Sequence, residues 1–150
     1  MEQRRIKVFL DTNVLLDVIC PENRPFSAAS ATVVKAIKEG FLEGELSTQS
    51  IVDAAYVASQ TEGHMVEGFR AKIEELFRFI NIDSMGYENV LMAVRECTGD
   101  FEDDVHFAFA YNTGCDVVLT GDKDFRSRCG KKNPNIQFFT PQEFVDKLTS

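Results

Sequence analysis

A chain of 150 residues, 44% hydrophobic and 27% charged, can bury a full core in one domain and has the composition of a soluble globular protein. No run approaches the roughly 18 apolar residues a membrane helix needs, and Met1 to Arg5 is too short and too quickly acidic for a signal peptide. A net charge of −8 argues against broad nonspecific nucleic-acid binding, although a local patch can still meet an anionic substrate.

In chain order, the first predicted strand covers 6–10 and ends on Asp11, which opens a helix over 12–19. Pro21 to Pro25 is a loop leading to a helix over 26–39, and a strand follows at 45–48. A helix over 49–60 carries Asp53 inside the apolar stretch Ile51 to Ala58, and a helix over 63–78 carries His64 as a surface residue. A strand at 79–82 and a helix at 86–97 come next. Asp100 is placed to cap a helix over 101–113 whose first turn holds Asp103, and Gly114 is its stop. The strand 116–120 runs into Asp122, a polar connector covers 129–135, and a last strand spans 136–139. Thr140-Pro141-Gln142-Glu143 is a capping box with proline at N1, opening a helix over 141–148.

Strands separated by helices imply one α/β domain, residues 1–150, with a parallel sheet covered on both faces. Cys20, Cys97, Cys115 and Cys129 form no CxxC pair and have no His at zinc spacing, so they read as reduced, mostly buried thiols of a cytoplasmic protein. Lys123, Arg126, Arg128, Lys131 and Lys132 form a basic stretch that reads equally as a solvated edge or a nucleic-acid contact.

The acids carry the chemistry. Asp11 and Asp122 directly follow strands, and Asp53 and Asp103 lie near the starts of helices that follow in the chain. In an open parallel sheet these places share the carboxyl edge, where sites form at the reversal of strand order. Each carboxylate pair at about 4 Å costs roughly 4 kcal/mol at an effective dielectric of about 20, a cost that a hard divalent cation removes. Oxygen-only ligation suits Mg²⁺ or Mn²⁺. Taken singly, Asp11 also reads as a helix N-cap, Asp122 as a turn residue and Asp103 as a partner of its helix dipole. Asp53, with apolar neighbours on both sides, is expected to be buried and to need a partner. Asp104 points about 100 degrees away from Asp103 and is expected in solvent. His106 shares the Asp103 helix face, either near the site or as a satisfied structural histidine.

These residues resemble a known family. Phe9-Leu10-Asp11-Thr12-Asn13-Val14-Leu15-Leu16-Asp17 is similar to the opening DTNVLLD motif of PIN domains. Ser50-Ile51-Val52-Asp53 resembles their second motif, and Asp100-Phe101-Glu102-Asp103, with His106 and Ala110, their acidic helix. Thr120-Gly121-Asp122-Lys123-Asp124-Phe125 resembles their TxDxDF segment and Thr140-Pro141-Gln142-Glu143-Phe144 their TPEEF tail. The resemblance implies a three-layer α/β/α sandwich on a five-stranded parallel sheet, and a Mg²⁺- or Mn²⁺-dependent ribonuclease. It also implies a VapC-type toxin with an antitoxin partner, commonly a homodimer. Asp53 stands where Glu is common, His106 where Gln is frequent and Asp104 where Ala is usual.

In that scheme Asp11, Asp103 and Asp122 hold the metal and Asp53 joins them directly or through a neighbour. Thr12, Asn13, His106 and Thr120 orient acids, water or RNA. Asp124 is a reserve ligand, with helix capping its preferred role. Two rivals stand beside this reading. A haloacid-dehalogenase-like phosphohydrolase would want a second Asp where Asn13 stands. A catalytically silent RNA- or protein-binding module would not need all four acids.

Overall fold

The structure, a computed structural model, describes residues 3–62, 66–96 and 99–150, without the side chains of 61, 62, 66 and 67. His64 and Cys97 lie outside the described residues. The strands are β1 (Lys7–Leu10), β2 (Glu43–Ser47), β3 (Asn81–Asp83), β4 (Val117–Leu119) and β5 (Gln137–Phe139). The helices are α1 (Thr12–Ile19), α2 (Ser27–Lys38), α3 (Thr48–Glu62), α4 (Val66–Leu76), α5 (Tyr87–Arg95), α6 (Phe101–Asn112), α7 (Lys123–Cys129) and α8 (Pro141–Thr149).

All strand pairs are parallel, in the order β3-β2-β1-β4-β5. Strand order therefore reverses between β1 and β4, where Phe9 pairs with Val118 and Leu10 with Leu119. Alternation along the strands separates two cores. Val8, Leu10, Leu46, Val117 and Leu119 pack with apolar residues of α1, α2, α3, α4 and α8. Phe9, Val118 and Phe138 pack on the other face with Phe107 and Phe109 of α6 and Phe125 and Cys129 of α7. With α5 against α6, the result is the expected three-layer α/β/α sandwich on a five-stranded parallel sheet.

Local chemistry sets the element ends. Asp100 accepts a hydrogen bond from the Asp103 amide at 3.0 Å, and Thr140 and Glu143 form a reciprocal capping box behind Pro141. Gly114, at φ +75, takes the left-handed position that ends α6.

Two differences from the sequence reading bear on the site. Lys123–Cys129 is a helix, α7, where only Phe125 and Cys129 are apolar and buried, too little periodicity to announce it. Strand β2 begins at Glu43 rather than 45. Its Gly44 packs closely, because a Cβ there would sit 2.8 Å from Ile37 Cδ1 and force that side chain to shift.

Candidate metal centre and catalytic rim

The crevice beyond β1 and β4 is built by a compact polar network. Asp11 caps α1, accepting from the Thr12 amide at 2.8 Å through Oδ1. Its Oδ2 accepts from the Thr120 hydroxyl at 2.7 Å and the Asn13 amide at 2.9 Å. Thr120 Oγ1 in turn accepts from Asn13 Nδ2 at 3.1 Å and from the Asp122 amide at 3.0 Å, filling its hydrogen-bonding capacity. Asn13 Oδ1 accepts from the Gly121 amide at 2.8 Å. One side chain from each loop thus locks the loop after β1 to the loop after β4. Gly121 fits because a Cβ would press on Phe26 and Asn13 at 3.3 to 3.4 Å.

Asp122 caps α7, accepting from the Asp124 amide at 2.9 Å and the Phe125 amide at 3.2 Å. The capping role expected of Asp124 therefore belongs to Asp122, whose carboxylate stands on the strand side of the helix start. Asp124 is exposed in the first turn.

Asp103 is buried in the first turn of α6 and accepts from Arg128 of α7 at 2.9 Å; Arg128 also lies 3.5 Å from Asp100. Burial pushes the Asp103 carboxyl above its usual range, the Arg128 hydrogen bond pulls it back, and the charges of Asp100 and Asp122 raise it again. Asp103 and Asp122 therefore share one electrostatic neighbourhood, and Thr120 joins Asp122 to Asp11. In the sequence Arg128 is one member of the basic stretch, and nothing in its spacing singles it out as the partner of Asp103.

Asp53 belongs to a different grouping. It is half-buried on α3, its Oδ1 accepting from Gln49 at 2.8 Å, and Val52 beside it is 63% exposed. The apolar run around Asp53 is thus partly a surface, which corrects the expected burial. Among the described residues, Asp53, Glu102 and His106 are the set of metal-ligating groups whose ligand atoms all lie within 4.8 Å of one another. Asp11, Asp103 and Asp122 do not converge as tightly. Glu102 and His106 are four residues apart on α6, a spacing that places them on one face and could have drawn notice to Glu102. These groups line a groove of about 860 Å³ between α3 and α6, together with Thr12, which links it to Asp11.

Asp104 is not in solvent. It is 1% exposed and pairs with Lys132 at 2.9 Å, while Lys132 also lies 5.1 Å from the Phe107 ring centre. Both acids are buried because α6 is covered on two sides, by the sheet and by α7 with the segment after it. The basic stretch is likewise largely engaged: Arg126 makes a forked pair with Glu143 at 2.7 and 3.0 Å, Arg128 meets Asp103, and Lys132 meets Asp104. Lys123 and Lys131 are exposed.

The carboxylate oxygens of Asp11, Asp103 and Asp122 are the donor type a hard divalent cation takes, and burial, then the charges of Asp100 and Asp122, raise the Asp103 carboxyl. Cys20, Cys115 and Cys129 are buried thiols outside any disulfide; Cys129 Sγ lies 4.0 Å from the Asp103 carbonyl oxygen, and burial pushes Cys115 up to about 12.

Known proteins resemble this chain in sequence or in architecture. Ribonuclease VapC1 of Aquifex aeolicus (strain VF5) is 27% identical over 148 residues, covering 94% of this chain and 94% of that protein. VapBC2 from Rickettsia felis, bound to a DNA fragment from their promoter, superposes at a TM-score of 0.64 with 12% identity, covering 90% of this chain and 98% of that one. VapC20 of Mycobacterium tuberculosis, a sarcin-ricin loop cleaving toxin, superposes at 0.62 with 15% identity, covering 80% and 93%. The PIN domain family profile matches residues 7–124, most of the chain, and with it β1 to β4 and the acids described above. The chain belongs to the PIN domain family.

Proposed function

We propose that this PIN domain is a divalent-metal-dependent endoribonuclease that hydrolyses RNA phosphodiester bonds, with residues 1–150 forming one nuclease domain. The observation that supports it is Thr120 at the reversal of strand order, donating to the Asp11 carboxylate and accepting from the Asp122 backbone amide, with Asp103 under the charge of Asp122. Asp11, Asp103 and Asp122 would hold Mg²⁺ or Mn²⁺. When bound, the cation supplies neutralisation of phosphate charge and a lowered pKa for an attacking water.

The chain's own residues do the remaining work. Thr120 and Asn13 donate to one oxygen of Asp11 and leave its orientation little freedom. Asp122 is fixed by two backbone amides of α7. Arg128 balances Asp103 and stands at the rim, where its guanidinium can meet an RNA phosphate. Lys123, at the start of α7, and Lys131, just after it, add exposed positive charge. Asp124 stays a reserve ligand beside Asp122.

The likeness to VapC-type proteins supports a toxin paired with an antitoxin protein. Val52, Tyr56 and Phe101 expose apolar surface in the groove, 52 to 67% open, which suits a homodimer or antitoxin contact. No described helix is long and apolar enough to cross a membrane, and cysteines outside any disulfide suit a cytoplasmic location. Family membership and the Asn13 bridge both weigh against the phosphohydrolase reading.

The test is direct. Purified protein is incubated with structured RNA in Mn²⁺ or EDTA, beside Asp11→Asn, which keeps a good N-cap and so keeps the fold. Metal-dependent cleavage that falls by about 100-fold or more in the variant supports the reading. Cleavage unchanged by the substitution or by EDTA would contradict it.

A further inference from the structure

We infer that the cavity beside Asp122 receives an unpaired guanine base of the RNA, read by Arg24 and stacked on Phe26. The inference rests on the ribonuclease reading and deepens it, because it assigns which base lies next to the rim acids.

The cavity holds about 390 Å³ and shares Asn13 and Asp122 with the rim, while Arg24, Phe26 and Gly121 supply the rest of the wall that matters here. The loop between α1 and α2 brings Arg24 to it. Asn23 turns that loop at φ +61, a left-handed conformation that asparagine tolerates better than most residues. Arg24 follows directly and is clamped twice. Its Nε donates to Asp17 Oδ1 at 2.7 Å and its Nη2 to the Asn13 carbonyl at 2.9 Å. Asp17 is itself buried and accepts from the buried Ser30 hydroxyl at 2.7 Å. Asn13 continues the same network to Asp11 and to the Gly121 amide. The guanidinium plane is therefore fixed relative to the rim. An arginine kept only for solubility would need no buried carboxylate behind it.

Two of five guanidinium N–H groups are used in this clamp, which leaves three for a ligand. Among the described residues Nη1 meets no acceptor, and the side chain is 31% exposed. A phosphate is the poorer occupant, since Asp17 already neutralises Arg24 and the Asp122 carboxylate lines the same cavity. A neutral base escapes that repulsion. Guanine offers O6 and N7, two adjacent acceptors that match paired N–H groups of arginine, whereas adenine puts a donor in place of one of them. Phe26 provides the apolar wall. Its half-buried ring packs against Gly121, where a Cβ would stand 3.3 Å from Cε2. Aromatic rings accept any base by stacking, so Phe26 supplies affinity and Arg24 supplies the choice of base.

The experiment titrates the whole chain, in Ca²⁺, into labelled oligouridines carrying one central guanosine, inosine, 7-deazaguanosine or adenosine. Fluorescence anisotropy reads binding, and gels confirm that the RNA stays intact. Wild type should bind the guanosine and inosine forms alike, and about tenfold more tightly than the 7-deazaguanosine and adenosine forms. Arg24→Lys keeps a cation beside Asp17 but loses the fork, and should level the series to within about twofold. Phe26→Leu keeps an apolar side chain against Gly121, and should weaken every form about five- to tenfold with the guanosine preference retained. Urea melts check that both variants fold, and the base series on wild type stands without them. Three results overturn the inference: no binding to any form, equal affinity of wild type for guanosine and either adenosine or 7-deazaguanosine, or a guanosine preference that survives in folded Arg24→Lys. Cleavage in Mn²⁺ without base preference would refute this pocket and leave the nuclease reading standing. A guanosine preference without cleavage in Mn²⁺ would do the reverse.

Discussion

Asp11, just past the end of β1, and Glu45, inside the neighbouring β2, are both buried acids, yet the molecule treats them oppositely. Asp11 receives three donors and sits at the open edge of the sheet. Glu45 lies inside β2, fully buried, with neither carboxylate oxygen hydrogen-bonded and Lys7 no nearer than 3.5 Å. Burial, reinforced by Asp83, pushes Glu45 up to about 8. A carboxylate organised for chemistry is held by fixed dipoles that keep it available. One that is merely enclosed keeps its proton instead. Donors rather than depth separate the candidate site from the core.

The largest expected effect breaks the organised side. Asp122→Ala removes both a rim acid and the α7 cap, so RNA cleavage should fall by about 100-fold or more and stability by about 1 kcal/mol. Cleavage assays with a parallel urea melt check it; retained cleavage would remove Asp122 from the centre.

The enclosed side responds to pH. Because the folded-state value of Glu45 lies above its ordinary 4.5, the folded chain holds a proton that the unfolded chain releases. Stability should therefore decline as pH rises from about 4.5 to about 8 and then level off. Glu45→Gln should remove that decline, leaving the variant roughly 2 to 4 kcal/mol more stable than wild type at pH 8.5 and close to it at pH 4.5. Denaturant melts across this range measure it. A flat wild-type profile would mean that Lys7 compensates the charge after all.

Arg128 sharpens the comparison from the rim itself. It neutralises Asp103 and Asp100, so a cation must compete with it. Arg128→Met should tighten Mn²⁺ binding by about three- to tenfold in calorimetry while weakening binding of a non-cleavable RNA by a similar factor. Unchanged metal affinity would make Arg128 a surface pair of no consequence. The smallest effect is a control remote from the rim. Thr140→Ala breaks the α8 capping box and should cost about 1 kcal/mol with cleavage unaltered.

Much of this was legible in the chain. Asp11, Asp103 and Asp122 stand out because strand ends and helix starts are marked locally, and parallel topology sends them to one edge. The caps at Asp100 and Thr140 follow from short-range hydrogen bonding alone. Other features depend on partners distant in the sequence. Asp104 reads as a solvent-facing acid until Lys132, 28 residues on, folds over it. Glu45, between Gly44 and Leu46, gives no sign of burial, because only the neighbouring strands and helices enclose it. Helix α7 hides among charges, since four of its seven residues are ionic and just two are buried. The Asp53 position misled in the other direction. Its apolar neighbours suggested depth, whereas Val52 and Tyr56 line an open groove.

The central claim is that acids remote in the chain share a divalent ion at the β1–β4 crevice. Crystals soaked in Mn²⁺ and measured at the manganese absorption edge test it without reference to activity. The expected result is an anomalous peak contacting carboxylate oxygens of Asp11 and of Asp103 or Asp122, directly or through one water. Peaks confined to other parts of the molecule, with the Asp103–Arg128 pair undisturbed at saturating Mn²⁺, would contradict it.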